Sequence, residues 1–324
     1  MSIHSGAFLW DLAILVICTG SLALLLLCAL ALRRKRHESE WGRNTDTHVA
    51  VFPRVFGILS FLILLTVLYG AVVEPRMIVV TERTVPFPYS KPLTIAVVSD
   101  FHVGPYKGTP FLQRVVKRIN DLHPDLVFLA GDFLFDGSSS PSDLAPFKDL
   151  LPSIGTYAVL GNYDTSNAVG NTEQAALVDT LNGMNVHVLR DASITARTSG
   201  GPLGIAGVRD VRTEGADPGK AFGQIPAGTP TILIAHNPDI ILDWRSLQAK
   251  LIISGHTHGG QVRLPFYGPI PPLPTRLGRK YDQGTFTLTG GTVLAITRGV
   301  GETASRVRLF APPEILLLRT VPGS

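Results

Sequence analysis

The chain has 324 residues, 45% of them apolar and 17% charged, with a formal net charge of +4. That length accommodates one large domain plus an appendage, and a mean hydropathy of +0.25 is high for a wholly water-soluble enzyme. The small positive charge gives no sign of a nucleic-acid partner, and two cysteines, Cys18 and Cys28, exclude a disulfide framework or a cysteine-rich zinc site beyond the first apolar run.

That first run, residues 7–32, carries Asp11 as its sole charge and is long enough to cross a bilayer as a helix. A second run, residues 55–73, carries no charge. Between them stand Arg33, Arg34, Lys35, Arg36, Arg43 and Arg54, so the positive-inside rule predicts a basic cytoplasmic loop, with everything after Val73 facing outward. A cleaved signal peptide is the competing reading of the first run, but the basic residues follow the apolar stretch instead of preceding it. Two helices nearly devoid of polar residues offer no pathway for a transported solute. Residues 1–84 are therefore expected to form a membrane anchor in a plasma or inner membrane, and residues 85–324 an extracytoplasmic globular domain.

After a polar stretch with Pro75, Pro86, Pro88 and Pro92, short apolar strands alternate with helical spacing. Strands are predicted at 93–100, 125–132 and 156–164, with helical segments at 110–123, 142–153 and in "EQAALVDTLNGM". This rhythm predicts α/β units with largely parallel pairing. Beyond Ala192 helices thin out, and the strands "SITAR", "LGIAGV", "TILIAH", "KLIISGH", "TFTLTGGTVLAIT" and "EILLLRT" are expected to include several antiparallel ones. Gly200, Gly201, Gly204 and Gly207 lack the Lys-Ser/Thr of a phosphate loop and read as a hairpin. The proline-rich segment 265–275 cannot lie inside a sheet.

Polar residues collect where the apolar strands stop: Asp100 and His102, then Asp132, then Asn162, Tyr163 and Asp164, then His236, and last His256 and His258. Sites in open α/β sheets form at the carboxyl ends of strands. Glycines precede Asp132, Asn162 and His256, where tight turns are expected to aim the side chains. Carboxylate, imidazole and amide donors without thiolate suit Mn, Fe or Zn, and seven such groups are too many for one ion. Two ions sharing a bridge fit them better, and such a pair activates a bridging water and clamps both oxygens of an in-line displacement at phosphorus.

The succession "SDFH", "AGD", "LGNYD", "AHNP", "SGHTHGGQ" resembles the five motifs of the calcineurin-like metallophosphoesterases, and the likeness covers residues 92 to 320. The tail "YDQGTF…ITRGVGE…RLFAPPEILLL" looks like the bacterial membrane-bound or exported branch of that family. The resemblance implies an α/β sandwich of two mixed sheets flanked by helices. It also implies two divalent ions. Asp100, His102, Asp132 and His258 would hold the first, and Asp132, Asn162, His236 and His256 the second. Alternation along an extended loop would send His256 and His258 to different ions.

One position departs from the pattern. The family reads Gly-Asn-His-Asp, where this chain has Gly161, Asn162, Tyr163, Asp164. A phenol near pKa 10 is a poor proton donor at neutral pH. Either Tyr163 or bound water supplies the function at reduced rate, or the substrate is a diphosphate whose leaving group needs no proton. The expected activity is metal-dependent hydrolysis of a phosphoester or diphosphate through a hydroxide shared by two metals, on a phosphorylated small molecule, lipid or envelope precursor. The competing readings are a non-catalytic metal-binding scaffold, which complete ligand positions argue against, and a UDP-sugar-lipid diphosphatase, which would need a cytoplasmic active site. His4, His37, His48, His123 and His187 have no positional partner and read as surface, turn or strand residues. The basic segment 275–280 reads as a solvated loop, whereas Phe266, Tyr267, Ile270 and Leu273 are candidates to rest on lipid or line an acyl-chain groove.

Overall fold

The computed structural model describes residues 3–41, 51–135, 139–165 and 171–323. The chain divides into two compact units, Met1–Glu74 with Ala304–Val307, and Pro75–Thr303 with Arg308–Ser324.

In the first unit, α1 spans Ile3–Glu40 and α2 spans Val51–Leu68. A wide turn at Tyr69–Val73 and a tight one at Glu74–Arg76 extend α2, so Asp11–His37 and Val51–Arg76 are each long and apolar enough to cross a membrane. The helices pack together with Cys28 against Gly57. Most of their other apolar side chains face outward, Leu26, Leu27 and Ile58 each being more than half exposed, while Leu64 and Ala71 are buried. Expected in a loop, Arg33, Arg34, Lys35 and Arg36 sit instead in the last turns of α1. Long unbranched cations are good helix formers, and they suit the carbonyl end of a helix, so nothing stops α1 at Leu32. Arg43, His48 and the side chain of His4 lie outside the described residues.

The second unit starts at Pro75, before the expected boundary at 84/85. The cause is β1 (Val79–Phe87), which polar residues and Pro86 disguise in the sequence. It pairs in parallel with β14 (Glu314–Pro322) along its whole length and forms a sheet edge, where proline is tolerated. The first sheet has the order β1-β14-β2-β3-β4-β5, with β2 (Thr94–Val98), β3 (Leu126–Ala130), β4 (Gly155–Val159) and β5 (Val186–Val188) mutually parallel.

A second sheet of six contains β6 (Ala192–Thr198), β7 (Gly201–Gly207), β8 (Thr231–Ile234), β9 (Leu251–Ser254), β12 (Gly284–Thr287) and β13 (Val293–Ile296), in the order β12-β13-β9-β8-β7-β6. Its inner strands β7, β8, β9 and β13 run parallel, and only the edge strands β6 and β12 run against their neighbours. Of the late strands, β6, β12 and β14 thus pair antiparallel with a neighbour, as expected, whereas the inner four form a parallel block. The crossovers use helical pieces too short to show a periodicity, such as α5 (Pro218–Phe222) and the tight turn Pro238–Leu242. The segment 142–153, expected as a helix, forms a 3-10 stretch at Pro141–Asp149, where Pro146 lacks the N–H an α-helix needs. The proline-rich segment contributes a separate hairpin, β10 (Arg263–Leu264) with β11 (Gly268–Pro269).

The core follows from strand alternation. Ile95, Val97, Phe128 and Val159 of the first sheet meet Ile205, Ile232, Ile234 and Ile253 of the second, all 0% exposed. On the other face of the first sheet, Ala96, Val98, Val127 and Leu129 pack against α3 (Thr109–Asn120) and α4 (Asn171–Gly183) through Leu112, Val115 and Leu181. Strands covered on both faces read as continuous apolar runs, which is why they were visible without alternation. The expected α/β sandwich is borne out, and the strands after which the polar residues cluster all end at one rim.

Candidate metal centre

Parallel strands deliver their following residues to the same side. The loop after β2 carries Asp100 and His102, that after β3 Asp132, that after β4 Asn162 to Asp164, that after β8 His236, and that after β9 His256 and His258. The loops are bolted together through the main chain. Phe101 and His102 N–H groups donate to the Asp132 carbonyl at 2.7 and 3.0 Å, and Gly255 N–H donates to the His236 carbonyl at 2.9 Å.

The side chains converge in two groups, Asp100, His102, Asp132 and His258, and Asp132, His236 and His256, with Asp132 in both. In the first, His102 Nε2 stands 3.5 Å from Asp132 Oδ2 and 3.3 Å from His258 Nε2, which is 3.4 Å from Asp100 Oδ1. In the second, His236 Nε2 stands 3.3 Å from Asp132 Oδ2, 3.2 Å from Asn162 Oδ1 and 3.1 Å from His256 Nδ1. Donors about 2.0–2.2 Å from one cation stand about 3.0–3.5 Å from each other in tetrahedral or octahedral shells. The spacing fits.

Protonation supports the same reading. The Ala130 and Pro274 carbonyls only accept, so His236 Nδ1 donates to the first at 2.7 Å and His256 Nε2 to the second at 2.9 Å. In the neutral rings this leaves two lone pairs facing each other beside a carboxylate, a repulsive arrangement that a proton or a cation relieves. Burial drives His102 and His256 down to about 4 each, and His258 well below its usual range. Burial also works against a charged His236, but the Asp132 carboxylate outweighs it and lifts this ring to about 10. Asp132 itself, despite its burial, is held well below the usual carboxylate range by His236. Burial raises Asp100 to about 6, with the Asp132 charge adding to it. Three imidazoles kept neutral by burial, His236 once a cation displaces its proton, and two carboxylates, with no thiolate, form a donor set suited to borderline divalent cations.

Backbone conformation does what extended alternation was expected to do. Asp100, His102, Asp132, His256 and His258 all have positive φ, between 42° and 69°. Each such residue other than glycine costs about 1–2 kcal/mol, and strain of this kind concentrates at functional sites. Two left-handed residues flanking Thr257, not a zigzag strand, separate His256 from His258. Thr257 Oγ1 anchors the turn by donating to the Asp282 carbonyl at 2.6 Å.

The glycines before the clustered polar residues differ in purpose. Gly131 adopts φ +88°, as a tight turn requires, whereas Gly161 is needed for close approach. A β-carbon there would stand 2.2 Å from Asp132 Oδ1. Gly161→Ala should therefore weaken divalent-cation binding at least about tenfold by displacing that carboxylate. Calorimetric titration reads this, and unchanged affinity would mean that Asp132 does not need its present position.

Asp164 turns its carboxylate to the main chain. Oδ2 accepts from Asp132 and Gly161 N–H and Oδ1 from Phe133 N–H, each at 2.9 Å. Burial and the Asp132 charge push this group up, to about 7, while the Gly161 and Phe133 amides draw it back. Because donors face both oxygens, the ionised form is the one the geometry fits. Tyr163 donates its N–H to Asp132 Oδ1 at 2.8 Å, and its ring stands edge-on to His102, 4.6 Å between centroids. Its phenol bonds the Thr303 hydroxyl, and burial raises it further from its ordinary value. Thr303 is held in turn by Gln261, which accepts from its N–H at 2.7 Å and donates to its carbonyl at 3.1 Å.

Several residues at this rim escape a reading of strand-end motifs. Asp210 follows β7, is 1% exposed, and receives Arg212 and Thr213 N–H on Oδ1, while its buried Oδ2 has no partner among the described residues. Its charge adds to that of Asp132 in lifting His236 and offsets a small part of the burial that lowers His256. The signal was available, since Asp210 also lies just past an apolar strand. Arg308 had no such signal. Fully buried, it donates to the Arg298, Gly301 and Ala311 carbonyls, fixing the loop whose Gly301 N–H donates to the Asp100 carbonyl at 2.6 Å. His37, His123 and His187 stay outside the centre, respectively against Trp41, in a loop, and in β5 beside Tyr157.

A family model described as calcineurin-like phosphoesterase matches residues 93–260. The chain is 30% identical over 259 residues to the uncharacterized metallophosphoesterase YkuE of Bacillus subtilis, covering 76% of this chain and 87% of that one. It is 30% identical to the phosphodiesterase YaeI of Escherichia coli, covering 71% and 83%. It is 27% identical to the UDP-2,3-diacylglucosamine pyrophosphatase LpxG of Chlamydia trachomatis, covering 79% and 93%.

Proposed function

The chain belongs to the calcineurin-like phosphoesterases, and from that premise we propose that it is a membrane-anchored phosphohydrolase with a two-cation centre that prefers diphosphate or activated diester bonds. The observation that carries the two-cation reading is the sharing of Asp132 between two buried donor groups. Asp100, His102, Asp132 and His258 would hold one cation, and Asp132, Asn162, His236 and His256 the other. When bound, such a pair supplies water activated near neutral pH and a positive clamp for a phosphoryl group.

The remaining roles belong to side chains of this chain. Asn162 presents its amide oxygen to the second group. Tyr163 orients Asp132 through its N–H and closes one wall beside His102. Asp164 holds the loops after β3 and β4 in register. Preference for a good leaving group rests on Tyr163, whose phenol is engaged by Thr303 and raised by burial, so no group at this position is matched to proton transfer at neutral pH. LpxG, a pyrophosphatase by name, supports a diphosphate substrate. The anchor reading rests on two helices whose exposed apolar surface a bilayer would cover, and the basic end of α1 supports an extracytoplasmic phosphoesterase unit.

The test is metal analysis of the purified full chain in detergent, with hydrolysis of a diphosphate sugar, bis(4-nitrophenyl) phosphate and glycerol phosphate. About two equivalents of Mn, Fe or Zn are expected, with the first two substrates cleaved at least about 100-fold faster than the third. Fastest cleavage of glycerol phosphate would reject the leaving-group preference, and turnover unaffected by a chelator would reject the metal centre. Tyr163→Phe should change turnover of the aryl diester by less than about threefold, whereas a 100-fold fall would assign the phenol a proton-transfer role. A phosphatase reporter fused after Ser324 should be active if the unit faces outward.

A further inference from the structure

The loop that carries His256 and His258 runs directly into the β10–β11 hairpin, whose apolar tip is exposed. At its tip Phe266 is fully exposed, with Tyr267 61%, Leu264 47% and Ile270 45% exposed. Phe266 also holds φ +64°, a conformation bulky residues rarely adopt. An aromatic residue kept strained and wholly in water contributes nothing to the core. The flank is cationic. Residues 262–281 contain Arg263, Arg276, Arg279 and Lys280 and no acidic residue. Arg263 is used by Asp282, and the Arg279 guanidinium lies 4.4 Å over the Tyr267 ring while donating to the Pro269 carbonyl at 2.7 Å. Aromatic and aliphatic tips backed by arginine and lysine are the composition of surfaces that enter the headgroup–acyl boundary of anionic bilayers.

One further observation favours a bilayer over a protein as the occupant, and a second ties the hairpin to the metal centre. Only Met77 and Ile78 separate Arg76, the end of the second apolar span, from β1 at Val79. At about 3.3–3.6 Å per residue, a linker that short tethers the phosphoesterase unit within about 10 Å of chain from the end of that span. The hairpin also packs on the ligand loop itself: Gly260 lies so close to Pro269 that a β-carbon would stand 2.2 Å from its side chain, and the Pro274 carbonyl receives His256.

We infer that the β10–β11 hairpin, led by Phe266, inserts into the interface of an anionic phospholipid bilayer and holds the metal centre at headgroup level, so that a lipid-borne phosphate is the substrate geometry it serves. This rests on the membrane-anchor reading above. The test uses the full chain with Cys18→Ala and Cys28→Ala, reconstituted in phosphatidylcholine–phosphatidylglycerol vesicles. Nitroxide labels are placed singly at Phe266→Cys, at Leu59→Cys within α2, and at Leu151→Cys, an exposed reference in the second unit. Collision rates with a water-soluble nickel chelate and with oxygen report depth.

The Phe266 site should show at least about a threefold lower nickel rate than the Leu151 site together with a higher oxygen rate. Omitting phosphatidylglycerol should reduce that difference. If Phe266 matches Leu151 while Leu59 is shielded, the hairpin inference fails and the anchor stands. If Leu59 also reports water, the anchor reading falls and the inference with it. Shielding from nickel without a gain in oxygen would mark a protein or a second copy against the hairpin, and would equally overturn it.

Discussion

Asp132→Ala should lower hydrolysis at least about 1,000-fold and remove bound cation from both halves of the centre. Its Oδ2 is 3.5 Å from His102 Nε2 and 3.3 Å from His236 Nε2, so one carboxylate serves two groups of imidazoles that burial would otherwise leave facing one another. A 1,000-fold loss corresponds to about 4 kcal/mol of transition-state stabilisation, a reasonable share for a charge that, in the proposed centre, would act on two cations at once. Removing any single histidine takes a donor from one group only and should leave one cation in place. Metal analysis alongside turnover separates these cases. Two equivalents of cation and a tenth of normal turnover in Asp132→Ala would end the shared-carboxylate account.

The second large effect concerns stability. Asp164→Ala strips three buried N–H groups, those of Asp132, Phe133 and Gly161, of an acceptor at 2.9 Å. A buried donor left unsatisfied costs about 1–3 kcal/mol, so a loss of about 4 kcal/mol is expected after some relaxation. For a unit of this size that lowers the melting temperature by about 10 °C. Asp164→Asn keeps one acceptor oxygen but turns an NH₂ toward the amides, and should recover only part of the loss. A residue acting in the chemical step alone would change turnover and leave melting untouched. Calorimetry of the metal-free variants decides between these, because cation binding would otherwise add its own stabilisation. An unchanged melting temperature in Asp164→Ala would return this carboxylate to the chemistry.

The difference between Asp132 and Asp164 also marks how far a sequence can be read. Both are aspartates in loops at strand ends, and from residue type and position both were expected at the reacting centre. Only the direction of the side chain tells a carboxylate facing imidazoles from one facing amides. Tyr163 is similar: its departure from the usual histidine is visible in the chain, but its engagement by Thr303 depends on a contact across 140 residues. Asp210 could have been found by extending the strand-end rule to β7. Arg308 could not, since a buried arginine binding carbonyls has no local pattern.

What the amino-acid order determined by itself was the α/β class, the strands covered on both faces, and the identity and succession of the polar residues that follow them. These are local properties, because an apolar run between turn residues declares a buried strand wherever it is placed. Tertiary structure alone decided that β1 completes an edge, that the inner strands of the second sheet run parallel, and that five of the clustered aspartates and histidines are left-handed. Each of these depends on partners distant in the chain: a neighbouring strand supplies hydrogen bonds, and packed loops hold backbone angles that the residues would not adopt when free.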